Sequence, residues 1–180
     1  MINLSLTLFK KLKNDLKVFV QKYGLMLPEQ HTMGFMGSLK VKVFPEGGGI
    51  CDYGIVSRKK VTDVFANYLV DAMQTTGMMN LFRWHESGFS TAAESAADTT
   101  LTAATTETRD LGTSTEGATA NIYRSIATHT YQNASTVGEH GLFASSAAGT
   151  LLDRSMFAGI AVSSGDQIQF TYELTVVSSG

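Results

Sequence analysis

The sequence predicts a mainly β fold: an antiparallel β-sandwich or jelly-roll-like domain with one packed helix, preceded by an N-terminal amphipathic helical arm. Three observations predict it. From Gln167 to Val177 the alternation is unbroken, with Ile168, Phe170, Tyr172, Leu174 and Val176 on one face and Gln167, Gln169, Thr171, Glu173 and Thr175 on the other; this is the period of a half-buried strand. Further β-prone runs recur at short spacing between turn clusters. Only two stretches carry helical spacing, one at the N-terminus and one near residues 60–75. At 180 residues the chain can bury one sizeable core, and the expected division is an arm and loop over 1–37 and a β-rich domain over 38–180.

Residues 3–23 read as a helix, because Leu4, Leu8, Leu12 and Leu16 recur every four positions with Phe9, Phe19 and Tyr23 nearby and lysines between. A membrane-surface helix has this pattern; an arm laid on its own domain or on a neighbour is the favoured reading. Residues 24–37 read as a loop broken by Gly24, Pro28, Gly34 and Gly37. Met26, Met33 and Met36 fall here, adaptable apolar side chains suited to a contact surface or to filling gaps beneath the domain. Strands are expected over 38–44 and 50–56, joined by the Pro45-Glu46-Gly47-Gly48-Gly49 turn. Val61, Val64, Phe65, Tyr68, Leu69, Ala72 and Met73 predict a helix over 60–75, with Gly77 as its terminator. Met79 to His85 reads as a strand with Phe82 and Trp84 on one face. The Ser/Thr/Ala/Gly-rich stretch 87–120 is long for one structureless loop, so a short strand is expected near Thr99–Thr105. Ala120–Tyr131, Thr136–Ala144 and Arg154–Val162 complete the set, with turns at Gln132–Ser135, Ser145–Gly149 and Ser163–Asp166.

Charge is unevenly spread. Residues 1–60 hold ten basic groups against four acidic ones, a net of +6, whereas residues 61–180 hold four arginines against twelve acids, a net of −8; together they give the formal −2. The low net charge argues against general nucleic-acid binding. The split favours head-to-tail contact between copies, or docking of the basic end on an acidic neighbour; two solvated surfaces of opposite sign are the plainer explanation. Cys51 is alone, so no intrachain disulfide is expected. No signal peptide is expected from the first residues, and no run reaches the roughly 20 apolar residues of a membrane-spanning helix.

Catalytic or metal chemistry finds little support. His31, His85, His129 and His140 include no pair at the i, i+4 spacing of a zinc helix, although His129 and His140 could face each other across a hairpin with Glu139 or Glu116 near. No Gly-X-Ser-X-Gly elbow occurs. Three glycines at 47–49 are not a phosphate loop, because no Gly-Lys-Ser/Thr follows. No enzyme activity, catalytic residue, metal or cofactor is expected. Arg154, beside Asp153 after a Gly-Thr turn, is expected either in a structural ion pair or in an inter-subunit pair with an acid such as Glu116. The candidate interface residues are therefore Leu4, Leu8, Leu12, Leu16, Phe19, Met26, Met33, Met36 and Arg154.

One set of segments carries a resemblance. Ser57-Arg58-Lys59 leads into the helix Val61–Met73; Glu116-Gly117-Ala118 precedes Ile122-Tyr123-Arg124; Glu139-His140-Gly141-Leu142-Phe143 is followed by Gly149-Thr150-Leu151-Leu152-Asp153-Arg154 and a closing Gly165-Asp166 strand. In order and spacing these resemble structural proteins of tailed-bacteriophage particles, over about 120 of the 180 residues. The resemblance implies a virion component without catalytic activity, made in the host cytoplasm. Capsid cement or decoration is the first expectation, and a tail, connector or fibre-attachment component the second. A carbohydrate-binding adhesion domain is the third, for which the C-terminal half offers only Tyr123, Tyr131 and Tyr172 as tyrosine platforms. The implied partners are a major capsid protein or other virion proteins and further copies of the chain, a trimer among them, with no membrane and no direct nucleic-acid contact.

Overall fold

The computed structural model describes residues 32–59, 61–74 and 81–179, and within it Gly34–Val177 form one compact unit. The expected N-terminal helix, with Leu4, Leu8, Leu12, Leu16 and Phe19, lies outside the described residues, as do Met26 of the expected loop, His31 and Gly77. The described elements are β1 (Thr32–Phe44), β2 (Cys51–Lys59), helix α1 (Asp63–Gln74), β3 (Trp84–Gly88), β4 (Asp110–Leu111), β5 (Thr113–Glu116), β6 (Ile122–Thr130), β7 (Ser135–Phe143), β8 (Leu151–Val162) and β9 (Gln167–Ser179). They make two antiparallel sheets, one in the order β2-β1-β9-β6-β5 (sheet A) and one in the order β4-β3-β7-β8 (sheet B). The mainly β class and the single short helix of the described domain are as the sequence predicts.

The core lies between the sheets. Leu39, Val41, Ile168, Phe170 and Tyr172 from sheet A meet Val137, Leu142, Leu152 and Ile160 from sheet B. β9 keeps the predicted register: Ile168, Phe170 and Tyr172 are fully buried and Leu174 nearly so. On its other face Glu173 bonds Lys40 of β1 and Arg124 of β6, a cross-strand ladder of opposite charges.

β1 begins at Thr32, so part of the expected 24–37 loop is strand. The glycines that suggest a breaker serve close packing instead. A Cβ on Gly37 would stand 2.4 Å from the Tyr172 hydroxyl oxygen and 2.9 Å from an Asp153 carboxylate oxygen, so only glycine lets the strand lie this close.

α1 starts at a cap. Thr62 accepts the Phe65 amide through Oγ1 while that hydroxyl donates to the Leu151 carbonyl at 2.6 Å, satisfying an orphan helix donor and tying the helix to β8. Phe65 is fully buried and meets Phe35 and Phe82 edge-on.

Three expectations are corrected. The strand expected at Met79–His85 begins only at Trp84. Phe82 and Trp84 do not share an environment: Phe82 is in the main core, whereas Trp84 packs on a small second cluster of Leu101, Phe143 and Leu151. The strand expected near Thr99–Thr105 is a single bridge, Gly88 to Ala104, and the short strands of that stretch are β4 and β5, farther on. The 89–105 segment is held by buried charge. Glu139 of β7 accepts the amides of Thr102 and Ala103, and Arg154 of β8 bonds Glu139, Asp98 and the carbonyls of Ala92 and Ala93. The segment covers the outer side of β7, which is consequently buried from Val137 through Phe143.

Candidate functional site

Large apolar side chains gather on the outside of the β1–β2 hairpin. Ile50 is 65% exposed, Tyr53 51%, Met36 48% and Ile55 42%. Among the described residues β2 ends sheet A, so Ile50, Tyr53 and Ile55 lie along a sheet edge, while Met36 stands on β1 beyond the Gly37–Lys59 pair, at the other end of the hairpin from Ile50. Its pairing with β1 slips twice: Tyr53 is an extra residue between the pairs Lys42–Asp52 and Val41–Gly54, and Val56 between Lys40–Ile55 and Leu39–Ser57. Gly54 takes φ +61°, and its amide donates to the Asp52 carboxylate at 2.8 Å, a local turn that an L side chain resists. Such bulges bend an edge strand and re-aim its side chains. They also blunt it against direct strand addition. The edge thus offers side chains more than backbone, with Cys51 exposed beside them.

A cleft of about 610 Å³ opens next to this edge, lined by Phe35, Met36, Arg58, Thr62, Glu94 and Arg154 among others. Two of the sequence-predicted interface residues, Met36 and Arg154, meet here. Met36 is at the surface. Arg154 is not: its side chain is 1% exposed and engages Glu139 and Asp98 within the same chain, the structural ion pair, while Glu116 is exposed on β5 in the other sheet. Burial alone would lower the Arg154 pKa, but the bonds and charges of Glu139 and Asp98 outweigh it and raise it. Met33 belongs to β1.

A buried polar chain between the sheets escapes sequence reasoning. His85 Nδ1 lies 2.9 Å from His140 Nε2, and His85 Nε2 lies 2.9 Å from Ser125 Oγ. His129 Nδ1 contacts the Asp110 carboxylate. His129 and His140 therefore belong to opposite sheets and not to one hairpin. Burial, followed by the charge of His129, lowers His85 to about 3, and burial with the neighbouring histidines holds His140 well below its usual value. The serine–histidine–histidine arrangement could relay a proton, but all three residues are fully buried, so it stands where no substrate reaches it. Among the described residues no three His, Cys, Asp or Glu side chains are placed to hold a metal ion. Nor does any described helix have the length and apolarity to cross a membrane.

The aromatics considered for sugar stacking are inside. Tyr131 and Tyr172 are fully buried, and Tyr123 is half-buried with its hydroxyl donating to the Phe82 carbonyl. Among the described aromatic side chains the exposed ones are Tyr53 and Phe89.

Comparison with protein-family models, with curated proteins and with solved structures gave no match.

Proposed function

We propose that this chain is a structural component of a tailed-phage virion, acting as a capsid cement or decoration protein that strengthens the shell by burying surface between subunits. The observation that carries the reading is the apolar, bulged edge of the β1–β2 hairpin, where Ile50, Tyr53 and Ile55 are exposed by 42–65%. Large apolar side chains gathered at one place on a surface mark a contact site, and tyrosine is a favoured interface anchor. The uneven charge supports it further, since a basic end and an acidic body complement copies and neighbours. In this reading the β-domain is a sandwich of jelly-roll type, and residues 3–23 supply a helical arm whose leucine stripe engages an adjacent subunit. The chain's repeated passage between sheets, from β2 to β3, β4 to β5, β6 to β7 and β8 to β9, supports the jelly-roll element.

Copy number tests the assignment. Quantitative mass spectrometry of purified particles is expected to find hundreds of copies. Six or twelve copies would move the protein to the tail or a vertex, and absence from particles would end the virion reading.

A further inference from the structure

The geometry points to a head-to-tail contact in which the β2 edge of one copy packs against the β5 edge of the next. This rests on reading the hairpin as an assembly surface and names its partner: a second copy of this chain, through the opposite edge of the same sheet.

Four observations carry it. First, β2 and β5 are the two ends of one five-stranded sheet. Second, the two ends lie at similar heights. Ile55 pairs with Lys40, whose side chain reaches Glu173 on β9; Glu173 pairs with Arg124, and Arg124 with Thr115. Exposed Ile55 and exposed Thr115 are thus linked across the sheet by one ion pair and three strand pairings. Third, the ends differ in sign. Beyond Ile55 in the chain comes exposed Arg58; beyond Thr115 comes exposed Glu116, and the approach to β5 carries Asp110 and the exposed Leu111. Arg58 pairs with Ser38, two residues before Lys40 on β1, and Glu116 pairs with Tyr123, one residue before Arg124 on β6, so the two charges stand toward the same end of their edges. Fourth, each edge is grooved: about 260 Å³ lined by Ile55, Val56, Ser57 and Arg58, and about 660 Å³ beside Thr115, Glu116 and Ile122.

The contact runs through side chains, because the bulges at Tyr53 and Val56 keep β2 from presenting a straight ladder. Tyr53 and Ile55 supply the apolar centre, with Arg58 and Glu116 steering the approach. Since the two patches differ, each copy keeps one free edge after pairing. Repetition gives a ring or a filament and does not stop at a dimer.

Sedimentation equilibrium of the full chain tests this with Arg58→Glu, Glu116→Arg, the double exchange and Tyr53→Ser. All three positions are exposed, and circular dichroism verifies that each variant keeps its sheet. The wild type is expected to associate beyond a dimer. Each charge reversal should weaken association about tenfold, and Tyr53→Ser at least as much. The double exchange should restore it, and so should an equal mixture of the two single variants, whose altered edges complement each other. If Glu116→Arg associates like the wild type while Arg58→Glu does not, the partner of β2 is not β5 and the inference is overturned. A wild type that stays monomeric to hundreds of micromolar overturns it as well. In that event particle incorporation separates the two ideas: loss with Tyr53→Ser keeps the hairpin as an assembly surface with another partner, and unchanged incorporation removes that reading too.

Discussion

His85 has no exposed surface, shares a ring-nitrogen contact with His140, and is held neutral by burial down to a pKa of about 3. In the unfolded chain the same side chain takes a proton near pH 6.5. Its folded pKa is depressed, so the stability it contributes is complete above pH 6.5 and is lost as pH falls from 6.5 toward 3. The loss should reach on the order of 3 kcal/mol by pH 4. Urea midpoints between pH 7 and pH 4 check this: the wild type should fall steeply, and the double substitution His85→Gln with His140→Gln should flatten the fall. An equally steep double variant would put the acid sensitivity elsewhere. Arg154 makes the complementary case. Removing it as Arg154→Met leaves Glu139 buried with its cation gone, and breaking a buried pair from one side costs about 3–5 kcal/mol. Adding Glu139→Gln should recover a good part of that, measured by the same unfolding experiment.

β9 was the most legible element, because a strand with one face on the core and the other on a ladder of charges alternates in sequence as it does in space. Phe170→Ala and Leu174→Ala should each cost about 2–5 kcal/mol, whereas Gln169→Ala and Thr171→Ala should cost under about 1 kcal/mol. Denaturant unfolding of the four variants checks the register; damage concentrated at Gln169 and Thr171 would invert it. β7 was harder to read for a physical reason. It is buried on both faces, so Glu139 and His140 sit side by side in the interior and the apolar period disappears. Their partners Arg154 and His85 lie 15 and 55 residues away in sequence, and no local pattern announces them. The same holds at β1, where Gly34 and Gly37 look like breakers until Val177 and Tyr172 are found against them. Gly37→Ala should therefore destabilise the domain by about 1–3 kcal/mol, through overpacking in a place with no room to yield. The Ser/Thr/Ala stretch is hard to read because much of its order comes from distant partners: the amides of Thr102 and Ala103 donate to Glu139, and Asp98 and the Ala92 carbonyl meet Arg154.

At the scale of the whole molecule, the charge asymmetry in the sequence and the exposed edge in the structure bear on the same question. The bulk sign of each half was legible from composition. Which residues face outward was not, since Met36 reaches the surface while Arg154 does not. The arm proposal has a direct consequence: deleting residues 1–23 should leave the sheet signal in circular dichroism intact and abolish incorporation into particles. Loss of the sheet signal would make that segment part of the domain's own stability. The proposed strengthening of a shell is measured most directly by the temperature at which packaged DNA escapes from particles made with and without this chain. Particles lacking it are expected to assemble and to release DNA at a lower temperature. Unchanged heat resistance in particles shown to lack the protein would contradict the account.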